Sequence, residues 1–147
     1  MALLQISEPG QSTAPHQHQL AVGIDLGTTN SLVAAVKSGK STILTDINEQ
    51  AMLPSVVHCG ANNKLTVGHE ARPYSKTDPT NTILSIKRFM GLSHQEVSDF
   101  KHCPYQLVEQ GSNVLFRTAA GDLSVVELSA SILSTLKQRA DTLWAAH

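Results

Sequence analysis

Val22-Gly23-Ile24-Asp25-Leu26-Gly27-Thr28-Thr29-Asn30-Ser31-Leu32-Val33 sets a carboxylate, a glycine and three hydroxyls between two apolar runs. That combination suits phosphate. Gly27 opens backbone conformations closed to other residues and lets a ligand approach the main chain, while Thr28 and Thr29 supply amide and hydroxyl donors. Successive turn amides form an anion-binding concavity, which Asn30 completes. Asp25 would then face bound phosphate, a repulsive arrangement unless a divalent cation with its waters lies between them. The chemistry implied is a metal–nucleotide complex. The same residues also fit an ordinary tight hairpin with Asp25 solvated at its mouth.

The elements that must position these residues follow from patterning. Ala21–Ile24 and Leu32–Val36 are apolar runs of strand length on either side of the turn, so a β-hairpin is expected. Lys37-Ser38-Gly39-Lys40 reads as a second turn and Thr42–Thr45 as a third strand. Ser55–His58 and Leu65–Val67, joined by Gly60–Lys64, read as another small hairpin. His69–Ser75 suggests a short helical turn. From Asp78-Pro79 to Gly91, Ile83, Ile86 and Met90, flanked by Leu84 and Phe89, recur near helical spacing, which places Lys87 near the end of a helix. Ser93 with Glu96 is a capping-box pattern for a short helix through Phe100, stopped by Pro104. Tyr105–Val108, Val114–Arg117 and Leu123–Val126 read as strands. The last element is a long helix with Leu128, Ile132, Leu136, Ala140 and Leu143 on one face, widened by Leu133 and Trp144. Lys137, Gln138, Arg139 and Asp141 lie mostly opposite.

Composition narrows the partners. The 147 residues are 41% hydrophobic and 16% charged, a globular balance for one domain of ordinary size, with a formal net charge of -1. Such a chain lacks the electrostatic footprint for nucleic acid or an acidic membrane surface. No apolar run reaches transmembrane length, and the start of the chain lacks the basic flank of a signal peptide. Cys59 and Cys103 form no CxxC spacing and read as two buried reduced thiols, consistent with a cytoplasmic setting. Residues 1–19, polar, Gln-rich and broken by proline, read as a flexible leader in which His16 and His18 lack the ligand count of a metal site.

Ala34–Ser41 imitates a phosphate-binding P-loop but fails twice. Alanine stands where the first glycine is required, and the residues after Lys40 read as strand rather than as a helix whose N-terminus could hold phosphate. His58, His69, His94 and His102 show no metal-ligand spacing. Lys87, on pattern alone, reads as a solvated lysine on an amphipathic helix.

GIDLGTTNS, followed by Leu53-Pro54-Ser55-Val56-Val57, Val67-Gly68, Asn81-Thr82 and Ile86-Lys87-Arg88-Phe89-Met90-Gly91, resembles the start of the ATPase domain of the seventy-kilodalton heat-shock chaperones, the DnaK type. The leader, the phrase LPSVVH and Thr118-Ala119-Ala120-Gly121 resemble more narrowly the branch dedicated to iron–sulfur cluster assembly, the HscA type. The resemblance implies an α/β fold, the first portion of an actin-like ATPase domain in which ATP or ADP and magnesium lie in a cleft between two lobes. Asp25 then matches the aspartate that holds the metal through its waters. Thr28 and Thr29, with Gly27 and Asn30 in the same turn, match the residues that contact phosphate. Lys87 matches the lysine that reaches the terminal phosphate and the attacking water. A J-domain co-chaperone of the HscB type and an iron–sulfur scaffold of the IscU type are the implied partners.

Against that family pattern, residues 20–147 correspond to the first lobe only, without the second lobe or the peptide-binding domain. Such a chain is expected to bind ATP weakly, to turn it over negligibly, and to associate through an open sheet edge and uncovered apolar faces. Two other readings stay open: another actin-fold enzyme such as a sugar kinase, which would share the first phosphate hairpin, and a non-catalytic interaction module that keeps the fold without nucleotide.

Overall fold

A computed structural model describes residues 21–99 and 103–145. The leader at 1–19, with His16 and His18, lies outside the described residues, as do His102 and the Phe100 end of the expected short helix.

The chain opens with β1 (Val22–Leu26) and β2 (Asn30–Lys37), paired antiparallel with Asp25 opposite Leu32 and Leu26 opposite Ser31. On its other side β2 pairs with β3 (Lys40–Ile43) and, at Asn30 and Ser31, with β4 (Leu53–Pro54). β2 is therefore the central strand. Ser31, Val33 and Ala35 are buried in alternation along it, the period-two signature of a half-buried strand. Ser38 and Gly39 both take positive φ, 51° and 75°, at the β2–β3 turn, as a two-residue hairpin with right-handed twist requires. Lys40 thus begins a strand rather than a helix, and the P-loop likeness has no structural counterpart. Among the described residues β1 is hydrogen-bonded only to β2, and Val22 and Ile24 are exposed on it.

β5 (Val56–Gly60) runs on from β4 and is flanked by β6 (Lys64–Val67) and, after the short α1 (Tyr74–Thr77), by β7 (Thr82–Leu84). The helix expected over 78–91 is not formed. Residues Pro79–Asn81 and Ile86–Phe89 are single 3-10 turns with β7 between them. Two forces decide this. Thr82 and Ile83, both β-branched, find ladder partners in His58 and Val57, and Ser85 sits in the left-handed region at φ 53°, which no helix can pass through. Ile83, Ile86 and Phe89 are all buried. Met90, expected on the same helical face, is exposed instead.

The capping box at Ser93 and Glu96 starts α2 (His94–Ser98), as its sequence pattern requires. β8 (Gln106–Gln110), β9 (Asn113–Thr118) and β10 (Gly121–Ser124) form a meander. The strand expected at Leu123–Val126 ends early, because Ser124 and Glu127 form a second capping box: the Ser124 hydroxyl accepts from the Glu127 amide while the Glu127 carboxylate accepts from the Ser124 amide. That box launches α3 (Val125–Ala145).

α3 backs the whole assembly. Leu128, Ile132, Leu136 and Ala140 are fully buried along it, and it packs on β2 and on the Ile86–Phe89 turn. Leu133, expected to widen this face, is exposed, whereas Arg139, expected opposite it, is buried. Phe89, Tyr105 and Phe116 interlock edge to face at 5.3–6.1 Å between ring centres beside it. No helix among the described residues is long and apolar enough to cross a membrane.

Candidate functional site

The residues between β1 and β2 are Gly27, Thr28 and Thr29, and Gly27 is dictated by crowding. A Cβ there would overlap the Asn30 carbonyl oxygen, so only glycine lets the chain fold back this tightly. Asp25 lies two residues before this turn on β1 and is exposed, with no side-chain partner among the described residues. The Thr28 and Thr29 amides likewise meet no acceptor among them.

Behind the turn stands Ser55, at the β4–β5 junction and only 2% exposed. Its hydroxyl donates to the Gly27 carbonyl at 2.8 Å, and its amide donates to the Thr29 carbonyl at 2.9 Å. Because that single hydroxyl proton is committed to Gly27, the buried Ser31 hydroxyl must be the donor in the 2.8 Å Ser31–Ser55 contact.

The segment leading to Ser55 is fixed as well. Arg139, with a side chain 8% exposed, donates from Nη1 to the Ala51 carbonyl at 2.8 Å and lies 3.9 Å from the Asp46 carboxylate. His69 donates to the Met52 carbonyl at 3.0 Å. Gly68, at φ 84°, lies so close to Leu53 that a Cβ would collide with the leucine side chain. Asp46 itself accepts the Asn48 and Gln50 amides, which hold its carboxyl below the ordinary aspartate range. Sequence reasoning gave Ser55 and Arg139 no role. Ser55 was visible only as part of a quoted motif, and Arg139 looked like one more surface cation.

Lys87 is exposed in the Ile86–Phe89 turn, whose other side buries Ile86 and Phe89. It follows β7, which pairs with β5, just as the Gly27–Thr29 turn is bonded to the residue immediately before β5. Asp25, Gly27, Thr28, Thr29 and Asn30 are thus brought together on one hairpin. Lys87 follows the end of β7 at which Leu84 pairs with Val56, next to Ser55, and so leaves the sheet at the same end as that hairpin turn, although no hydrogen bond or ion pair joins it to the hairpin among the described residues.

Elsewhere the polar groups serve structure. His58 stacks flat on Tyr74, with ring centres 3.9 Å apart, and donates to Asp78 at 3.0 Å, which lowers the Asp78 carboxyl. Both cysteines are free. Cys59 is fully buried, and desolvation raises its thiol to about 11, whereas Cys103 is only partly buried rather than fully as expected. Among the described residues no three or more His, Cys, Asp or Glu side chains converge as a metal cage. A lone carboxylate beside an anion-binding turn nevertheless fits magnesium, which keeps several waters and is bound through one or two carboxylates plus phosphate oxygens.

This arrangement is an α/β portion of an ATPase domain, with the Gly27–Thr29 turn at the end of its first hairpin. Residues 21–146 match the family model "Hsp70 protein", and the chain belongs to the Hsp70 family. It is 59% identical over 141 residues to a chaperone protein HscA homolog of Methylobacillus flagellatus and 52% identical to that of Herminiimonas arsenicoxydans. To the homolog of Acinetobacter baumannii strain AYE it is 54% identical over 142 residues. Each match covers 96% of this chain, which spans 22–23% of the length of these relatives. Neither the sugar-kinase reading nor the non-catalytic one finds support in these matches.

Proposed function

We propose that this chain forms the first lobe of the nucleotide-binding domain of an ATP-dependent chaperone of the HscA type, working in the cytoplasm on iron–sulfur protein maturation. Its β1–β2 hairpin holds the phosphates of ATP or ADP, and Asp25 holds magnesium through water. Thr28 and Thr29 donate to phosphate from amide and hydroxyl. Lys87 supplies a cation toward the terminal phosphate and the attacking water, in keeping with a reaction governed by positioning and charge stabilisation. Magnesium, when bound, neutralises phosphate charge. A J-domain co-chaperone of the HscB type and an IscU-type scaffold as client follow from the HscA-like reading.

The observation that carries this reading is the turn itself, in which a glycine that no other residue can replace adjoins threonine amides and follows an exposed carboxylate that have no partner among the described residues. A magnesium–ATP titration of the isotope-labelled chain, followed by amide resonances, tests it. Saturable shifts should concentrate at Gly27–Asn30, weaken in Asp25→Asn and Lys87→Ala, and survive Lys40→Ala. Equal responses from wild type and Asp25→Asn would remove the metal role. ATP turnover by these 147 residues alone should be negligible, because stabilising the transition state takes groups on both sides of the phosphate.

A further inference from the structure

The geometry points to Ser55 as a positioning residue for nucleotide: it sets the direction of the phosphate-facing amides from behind the turn, without touching ligand itself. The inference rests on the β1–β2 turn being the phosphate site.

A trans peptide is planar, so the carbonyl of one residue and the N–H of the next point in opposite directions. No peptide bond described here is cis. Ser55 draws the Gly27 carbonyl inward through its hydroxyl and the Thr29 carbonyl inward through its amide. The Thr28 N–H must then point away from the Ser55 hydroxyl, and the Asn30 N–H away from the Ser55 amide. One buried residue thereby fixes two of the turn's peptide planes. In a turn rich in glycine and threonine those planes would otherwise rotate readily, and a rotated Gly27–Thr28 peptide would present a carbonyl oxygen to phosphate in place of a donor.

Ser55 is suited to hold its own place. It receives a hydrogen bond from buried Ser31, and the preceding residues are held at Ala51 by Arg139, at Met52 by His69 and at Leu53 by the close approach of Gly68. The turn is therefore braced through β4 against α3. Removing the hydroxyl leaves the part-buried Gly27 carbonyl without that donor, and the least costly relief is rotation of that peptide toward solvent.

The test is the same magnesium–ATP titration on three further chains. Ser55→Ala should bind roughly three- to tenfold more weakly than wild type, as expected for a lost buried hydrogen bond. In the absence of nucleotide its Thr28 amide resonance should already be displaced. Ser55→Cys, of similar size but with a weak donor, should fall between the two and keeps the question open to test if the alanine variant folds poorly. Val57→Ala removes buried volume from β5, two residues beyond Ser55, without touching the turn. It should lower stability yet bind magnesium–ATP as wild type does. Wild-type affinity and an unmoved Thr28 amide in Ser55→Ala would overturn the role of Ser55 while leaving the phosphate turn intact, and so would equal weakening in Val57→Ala. No response at Thr28 and Thr29 in the wild-type chain would overturn both.

Discussion

The β1–β2 hairpin and the layer formed by β8–β10 with α3 handle polar groups in opposite ways. In the hairpin the useful groups are main-chain amides and one exposed carboxylate, and side-chain burial on β1 is slight. In the other layer Phe116, Leu128, Ile132 and Leu136 are fully buried, and the hydrogen bonds that matter cap the start of α3. A phosphate site must leave donors unsatisfied until ligand arrives, whereas a core pairs nearly all of its polar groups, the buried Ser129 hydroxyl of α3 being an exception. The two regions meet in Ala51–Ser55, which is bonded to the turn at one end and to α3 at the other. Stability and binding should therefore be separable by mutation everywhere except in that segment.

The largest effect is expected at Phe116, which is fully buried among Phe89 and Tyr105. Phe116→Ala should cost about 3–5 kcal/mol in denaturant unfolding. At a temperature where the variant is folded, magnesium–ATP should still shift the Thr28 amide. A lost response in the folded variant would break the separation.

Arg139→Met keeps much of the buried volume but removes the donor to Ala51, leaving that carbonyl unmatched. A loss of about 1–3 kcal/mol is expected. Because Ala51 leads to Ser55, the Thr29 and Asn30 resonances should move as well, more than they do in Phe116→Ala. Unmoved turn resonances would confine Arg139 to the core side.

A smaller effect concerns acid. The His58 hydrogen bond lowers the Asp78 carboxyl below its ordinary 3.8. A carboxyl that is lower in the folded state contributes stability that is fully present above the unfolded value and is lost as pH falls through the folded one. Thermal unfolding between pH 5 and 2, an interval chosen to span roughly the aspartate range, should show His58→Gln losing less stability than wild type on acidification. Identical acid limbs would show that the pair does not sense pH.

The hairpin was legible because its chemistry demands particular residue types: a glycine at the tight fold, threonines beside it and an aspartate two residues before. The face of α3 was legible because Leu128, Ile132, Leu136 and Ala140 keep helical period over a long segment. The region around Lys87 misled for a physical reason. Ile83, Ile86 and Met90 recur near helical spacing, and only the ladder from β7 to β5 and the left-handed Ser85 convert that run into strand and 3-10 turns. Leu123–Val126 hid a helix start because apolar residues surround the Ser124–Glu127 box.

The resemblance of the chain's motifs gave the family, while composition and local pattern by themselves determined the first hairpin and its tight turn, the core face of α3 and the capped start of α2. Each rests on residue types acting within a few positions of one another. Tertiary structure alone decided that Arg139 is buried, that Lys87 hangs from β7 rather than from a helix, and that Ser55 grips the turn. Those outcomes join residues 28 and 88 positions apart. No local pattern records such a hydrogen bond, since its formation depends on which surfaces the folded chain brings face to face.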